Sequence, residues 1–219
     1  MKDDPVTVQR SRFVTQARRR AELIEQALEL QWLALAWMLV EGVAGIGSGV
    51  AAHSLTLVAF GADGVIELLL AWLLVWRLSS ELGNREAFPG ATVKAARVGA
   101  LFFAALVFCV VADSAWRLWY GIGQQPSVVA LLLVTLAILL MVLFGRAKGR
   151  VAEAINIAAL HADANQSMNC FGLSVVVCFG LLLQFILGAW WIDALSALAT
   201  TPILMNKARE VWGGYDTWC

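Results

Sequence analysis

The feature that most constrains the fold of this chain is a series of long apolar runs separated by short charged segments. An α-helix of about 20 apolar residues is needed to cross the roughly 30 Å hydrocarbon core of a bilayer, and each run approaches this length. Of the 219 residues, 60% are hydrophobic and only 15% are charged, whereas soluble domains carry about 25% charged residues. The pattern predicts an all-α integral membrane protein with six transmembrane helices.

The predicted spans divide the chain into three parts. They cover residues 31–52, 54–77, 98–119, 128–144, 161–187 and 192–206. Residues 1–30 are interpreted as a basic interfacial helix, 31–206 as the transmembrane domain and 207–219 as a short tail. With the N-terminus inside, fifteen of the 16 Lys and Arg residues fall on the cytoplasmic side and only Arg117 lies outside. Because basic residues favour the cytoplasmic side, we expect both termini to be cytoplasmic.

Composition argues against several classes of function. Net charge is zero, so nothing favours nucleic acid as a partner. The four cysteines form no CxxC pair, which argues against a disulfide framework. They are Cys109, Cys170, Cys178 and Cys219. The first thirty residues lack the apolar core of a cleavable signal. An integral membrane enzyme is not expected, since the two histidines, His53 and His161, do not share a helix face with the acidic residues described next.

Two carboxylates stand out within the second predicted span. Asp63 and Glu67 are four residues apart between apolar stretches, and this spacing places both on one helix face, one turn apart. Placing a carboxylate in hydrocarbon costs roughly several kcal/mol of free energy unless a partner neutralises its charge. The pair therefore predicts half of a cation site.

The fifth predicted span begins with a polar turn that offers the other half. Asp163, Gln166 and Cys170 lie within an arc of about 60° on one helix face, whereas His161 points towards the opposite side. Asp63, Glu67 and Cys170, with either Gln166 or Asp163, would supply four oxygen and sulfur ligands. Zinc accepts such a set in tetrahedral geometry, and a thiolate favours borderline-soft ions over magnesium or calcium.

Other polar and small residues in the spans have less specific interpretations. Glu41 is either a polar packing residue or part of an ion or proton path. Gly45 and Gly49 have the spacing that lets helices approach closely. Asp113 and Asp193 lie near span ends, where structural roles are expected, and Asp193 fits an N-cap or first-turn position.

Two blocks of the sequence, together with the predicted topology, resemble a known family. The first begins at Glu41-Gly42 and continues from Ser54 through Gly61-Ala62-Asp63-Gly64 to Glu67. The second comprises Ala162-Asp163-Ala164-Asn165-Gln166-Ser167 and the segment 188–198. Over residues 31–210 the chain resembles the transmembrane part of the cation diffusion facilitator (cation efflux) family. It is most similar to short bacterial members and to the related vesicular zinc transporter branch.

The resemblance implies export of zinc or a similar divalent ion in exchange for protons, by a homodimer. In the family the second span contributes an acidic or His residue and an Asp four apart, which map onto Asp63 and Glu67. The His and Asp of its fifth span map onto Gln166 and Cys170. The cytosolic domain that usually follows the sixth span is not expected here.

We therefore expect a zinc, cobalt, cadmium or iron efflux transporter that works by alternating access. It would need no organic cofactor and would lie in a bacterial inner membrane. A membrane metal sensor or assembly scaffold without transport is the alternative. In the transporter, burial and mutual repulsion favour protonation of the acidic pair when no metal is bound, and a metal ion expels those protons.

Overall fold

The computed structural model of the chain describes residues 5–82, 89–125, 127–155 and 158–214, which form six helices and no strand. The helices are α1 (Pro5–Ala51), α2 (Leu55–Leu82), α3 (Pro89–Tyr120), α4 (Val128–Ile155), α5 (Ala158–Leu187) and α6 (Ile192–Gly214). Pro126, between the third and fourth predicted spans, and Cys219 lie outside the described residues. The predicted all-α architecture of six helices is confirmed.

Five described helical segments are long and apolar enough to cross a membrane by length and composition. They are Arg18–Ala51, Leu55–Trp76, Arg97–Tyr120, Val128–Ile155 and Leu160–Leu187. Large apolar side chains such as Phe108 and Ile186 face outward, as expected of helices that contact lipid. The chain is therefore an integral, multi-pass membrane protein. Helix α6 is more polar because its second half carries Asn206, Lys207, Arg209 and Glu210.

Glycines let α1 and α2 pack with their backbones almost in contact. A Cβ atom added at Gly61 would lie 2.5 Å from the backbone nitrogen of Ile46, and one added at Gly49 would lie 2.6 Å from that of Val58. Only glycine permits such an approach. The predicted close packing at Gly45 and Gly49 is confirmed, and it brings Glu41 of α1 alongside α2.

One end of the bundle is fastened by a polar cluster around Asp193, which we call the polar clasp. The Asp193 carboxylate accepts hydrogen bonds from Ser54 Oγ (2.7 Å) and from the backbone N–H groups of Leu55 (2.7 Å) and Thr56 (3.2 Å). Asp193 is in the first turn of α6, as predicted, but the helix that it caps is α2. Its carboxylate satisfies donors that the start of α2 would otherwise leave unpaired.

Arg117 completes the polar clasp from α3. Its guanidinium lies 2.7 Å from Asp113 Oδ2 and 3.6 Å from Asp193 Oδ2, and it donates a 2.6 Å hydrogen bond to the carbonyl of His53. His53 has a positive φ of 53° in the turn between α1 and α2. Asp113 and Asp193 thus have the structural roles expected for them, and three helices are joined at this end.

Helix α6 packs mainly against α3 and α5 and also contacts α2. Its buried residues recur at intervals of three or four, the spacing of one helix face. From Ala194 onward this face carries Ala194, Ala197, Thr200, Leu204, Lys207 and Val211, and Ala208 is buried beside it. This buried stripe carries Lys207 into the interior of the bundle.

Candidate metal site

Asp63 and Glu67 lie on the inner face of α2 and are almost completely buried, with 0% and 1% of their surface exposed. One turn of helix separates them, as the sequence predicts. Asp63 Oδ1 and Glu67 Oε2 accept no hydrogen bond from the described residues. Because buried polar atoms are nearly always hydrogen-bonded, two unpaired carboxylate oxygens at one place indicate a site for a ligand.

Helix α5 contributes a thiol and an amide to the same place. The Cys170 thiol is fully buried and lies 3.9 Å from Asp63 Oδ2. Gln166, one turn earlier, donates a 3.0 Å hydrogen bond from Nε2 to Glu67 Oε1. Ligand atoms of Asp63, Glu67 and Cys170 all lie within 4.8 Å of one another. The structure therefore brings together both halves of the predicted site.

Glu41 joins this cluster from α1. Its side chain is fully buried, and its Oε1 lies 3.8 Å from Cys170 Sγ. The thiol can donate its single proton to Glu41 or to Asp63, at similar sulfur–oxygen distances. A Cβ atom at Gly64 would lie 3.6 Å from Cγ of Glu41, so the glycine contact between α1 and α2 holds this third carboxyl group beside the acidic pair.

An ammonium group from α6 bridges the two carboxylates. Lys207 is fully buried, and its Nζ donates hydrogen bonds to Asp63 Oδ2 (2.6 Å) and Glu67 Oε1 (2.7 Å). The same Nζ lies 5.9 Å from the centroid of the Phe103 ring on α3. A lysine near a helix end would ordinarily extend towards water. Lys207 extends inward, because Cα–Cβ bonds tilt towards the helix N-terminus and two carboxylates attract its charge.

Asp163 lies apart from the cluster although it was predicted on the same helix face. Its Oδ2 is 2.8 Å from Nζ of Lys148 on α4, and the lysine is 1% exposed. The structure thus places Asp163 in a separate ion pair, while Gln166 contacts Glu67 directly. Of the two residues proposed as a fourth ligand, Gln166 is the one that contacts the acidic pair, through Glu67.

A cavity of about 380 Å³ connects Glu67 with the end of the bundle opposite the polar clasp. Polar residues in its wall include Glu67, Asp163, Asn165, Gln166, Arg209 and Glu210. Arg209 and Glu210 are exposed, whereas Glu67 is buried. The cavity therefore runs from the surface to one carboxylate of the site.

The donor set of the cluster suits a small metal ion. Two carboxylates, a thiol and a carboxamide can supply oxygen and sulfur ligands to an ion such as zinc. A sulfur donor suits magnesium and calcium poorly, since both prefer oxygen ligands. Burial in a low-dielectric interior strengthens the attraction between such an ion and the carboxylates.

Sequence reasoning missed the two buried lysines. The predicted spans place Lys207 in the tail after residue 206 and Lys148 beyond the end of the fourth span at 144, yet α6 continues to Gly214 and α4 to Ile155. The helical periodicity of the buried positions could have identified such a lysine. In α4 the buried positions are Ala130, Val134, Ala137, Met141, Gly145, Lys148 and Ala152, so the apolar face of the span continues straight through the lysine.

Comparison with known proteins assigns the chain to a family. No protein with a curated function matches it. The profile of the cation efflux transmembrane domain matches residues 31–212, which include the acidic pair, the polar turn of α5 and Lys207. Because the match covers most of the chain, the protein belongs to the cation efflux family of membrane transporters.

Proposed function

We propose that the protein exports a divalent metal ion, with zinc the preferred candidate, in exchange for protons by alternating access. The observation that carries this proposal is the buried cluster in which ligand atoms of Asp63, Glu67 and Cys170 lie within 4.8 Å of one another. A site of this size fits one bare ion. A carrier of organic cations would need more room between the carboxylates.

The charges of the cluster support exchange with protons. When ionised, Glu41, Asp63 and Glu67 carry three negative charges and Lys207 carries one positive charge, so the formal total is −2. A buried site holding this charge is costly. One divalent cation would neutralise it, and so would two protons. Metal and protons therefore compete for the same groups, which is the condition for antiport.

The position of the site between two unlike ends of the bundle supports alternating access. The cavity reaches Glu67 from the end where α6 terminates, and the polar clasp ties α2, α3 and α6 together at the other end. Access from one side only is what a carrier needs in each of its two states. By the predicted orientation, the cavity faces the cytoplasm of a bacterial cell, and family resemblance suggests a homodimer.

One observation favours a rival function. Lys207 already bonds to both carboxylates, and such ion pairs can simply hold α6 against α2. A membrane metal sensor or assembly scaffold would not need to release this contact rapidly. Such a protein would bind metal without moving it, so a flux measurement separates the two functions.

The test is zinc flux in proteoliposomes that contain an internal zinc indicator. We expect wild type to move zinc and Asp63→Asn to reduce the rate to the level of protein-free vesicles. The matched control is Asp113→Asn, which changes a partly exposed carboxylate of the polar clasp and should retain most of the flux. Undiminished flux through Asp63→Asn would refute the assignment of the site.

A further inference from the structure

The cluster contains its own cation. The Nζ of Lys207 lies 2.6 Å from Asp63 Oδ2 and 2.7 Å from Glu67 Oε1, which makes it a short, charge-assisted bridge between the residues proposed to bind metal. Its side chain has no exposed surface. The ammonium group therefore occupies the position of a cation bound to Asp63 Oδ2 and Glu67 Oε1.

A metal ion and this ammonium group cannot use the same two oxygen atoms at the same time. Zinc bonds to carboxylate oxygen at about 2.0–2.2 Å, so an ion bound at Asp63 Oδ2 or Glu67 Oε1 would lie very close to Nζ of Lys207. Two cations at such a distance repel strongly in a buried site. Metal binding through these oxygens requires Lys207 to move away from them.

We propose that Lys207 is a tethered competitor of the cargo: its ammonium group bonds to Asp63 and Glu67 between metal ions, and metal displaces it. This inference rests on the proposed function. Displacement uses the flexibility of the lysine stem, and Lys207 keeps its charge throughout. On the outward side its return to the carboxylates replaces the bonds that the departing metal loses, so that release is not opposed by two bare carboxylates.

Lys148 provides a contrast within the same protein. It is also a buried lysine, and it lies 2.8 Å from a carboxylate, that of Asp163. Its pair has one acid and one base, whereas Lys207 faces two carboxylates with a third, Glu41, close by. The Lys148 pair is balanced by itself, and an added cation has no surplus negative charge to bind there.

The test compares zinc affinity in wild type, Lys207→Met and Lys148→Met, each purified as the full chain and titrated with zinc against a chelating dye. Methionine keeps much of the lysine stem and removes the charge. We expect Lys207→Met to lower the zinc Kd by at least about tenfold, since a charge at this range changes carboxylate affinity by that order. Lys148→Met should change the Kd less than Lys207→Met does, because Asp163, which it leaves unpaired, lies outside the cluster. In flux assays Lys207→Met should lower both KM and kcat, because zinc leaves more slowly.

A double substitution keeps the test usable if Lys207→Met does not fold. Removing one acid and the base together, in Glu67→Gln with Lys207→Met, preserves the charge balance, and this protein should bind zinc more tightly than Glu67→Gln alone. Unchanged or weaker zinc binding after loss of Lys207, with wild-type binding intact, would overturn the tethered competitor and leave metal transport standing. Absence of zinc binding in wild type and both lysine variants would overturn the proposed function and the competitor together.

Discussion

The polar clasp and the cluster around Asp63 and Glu67 both bury carboxylates, yet they differ in how completely those carboxylates are paired. The Asp193 carboxylate accepts hydrogen bonds from one hydroxyl and two backbone N–H groups, and the guanidinium of Arg117 lies nearby. Asp63 and Glu67 share one ammonium group, and each keeps an oxygen without a hydrogen bond from the described residues. Burial alone therefore does not mark a functional acid in this protein. Incomplete pairing is the feature on which the proposed metal site rests, because it leaves charge for a ligand to neutralise.

The largest effect on stability is expected at the polar clasp. Asp193→Ala would leave the buried donors of Ser54, Leu55 and Thr56 without their acceptor, and each unsatisfied buried group costs about 1–3 kcal/mol. We expect a clear fall in Tm for the protein in detergent. The fall should be the same with and without zinc. A Tm equal to that of wild type would show that the polar clasp does not fasten the bundle.

A smaller effect on stability, with a large effect on ligand binding, is expected in the cluster. Glu67→Gln preserves the shape of the side chain and its contacts with Lys207 and Gln166, so the unfolding free energy should change by only about 1 kcal/mol. Zinc at a hundred times its Kd stabilises a protein by about 2.7 kcal/mol. Wild type should show this gain as a rise in Tm and Glu67→Gln should not. An equal rise in both proteins would remove Glu67 from the site.

The sequence predicted the helices and both halves of the cluster because these depend on local patterns. Apolar runs indicate the helices, and the intervals 63 to 67 and 166 to 170 define their faces. The partners of the carboxylates could not be predicted in this way. Whether Asp163 contacts the cluster or Lys148 depends on how α4 packs against α5. The sequence of one helix alone does not determine this packing.

Lys207 was missed for a different physical reason. Basic residues near the end of an apolar run usually extend to the membrane surface. The sixth span is therefore predicted to end at residue 206, before Lys207. The two carboxylates of α2 reverse this preference by supplying a buried partner. An acidic pair within a span is therefore a reason to search neighbouring helix ends for a lysine on the buried face.

The smallest of the expected effects on metal binding is that of replacing the Cys170 thiol. Cys170→Ser keeps a small polar side chain on α5 but removes the sulfur donor, so it should weaken binding of softer ions more than that of hard ones. The measurement is the rise in Tm with zinc, cadmium, cobalt, iron, manganese and copper, compared between wild type and variant. The rise in Tm caused by cadmium should decrease the most in the variant, and the rise caused by manganese the least. An unchanged order of metals would exclude the thiolate as a ligand.

The most direct test of metal–proton exchange is the ratio of protons to zinc ions moved by the wild-type protein in proteoliposomes. Internal zinc and pH indicators read both fluxes in the same vesicles. The formal charge of −2 on Glu41, Asp63, Glu67 and Lys207 predicts about two protons for each zinc ion, in the opposite direction, and neither flux in Asp63→Asn. Zinc flux without a counterflow of protons would contradict the exchange mechanism.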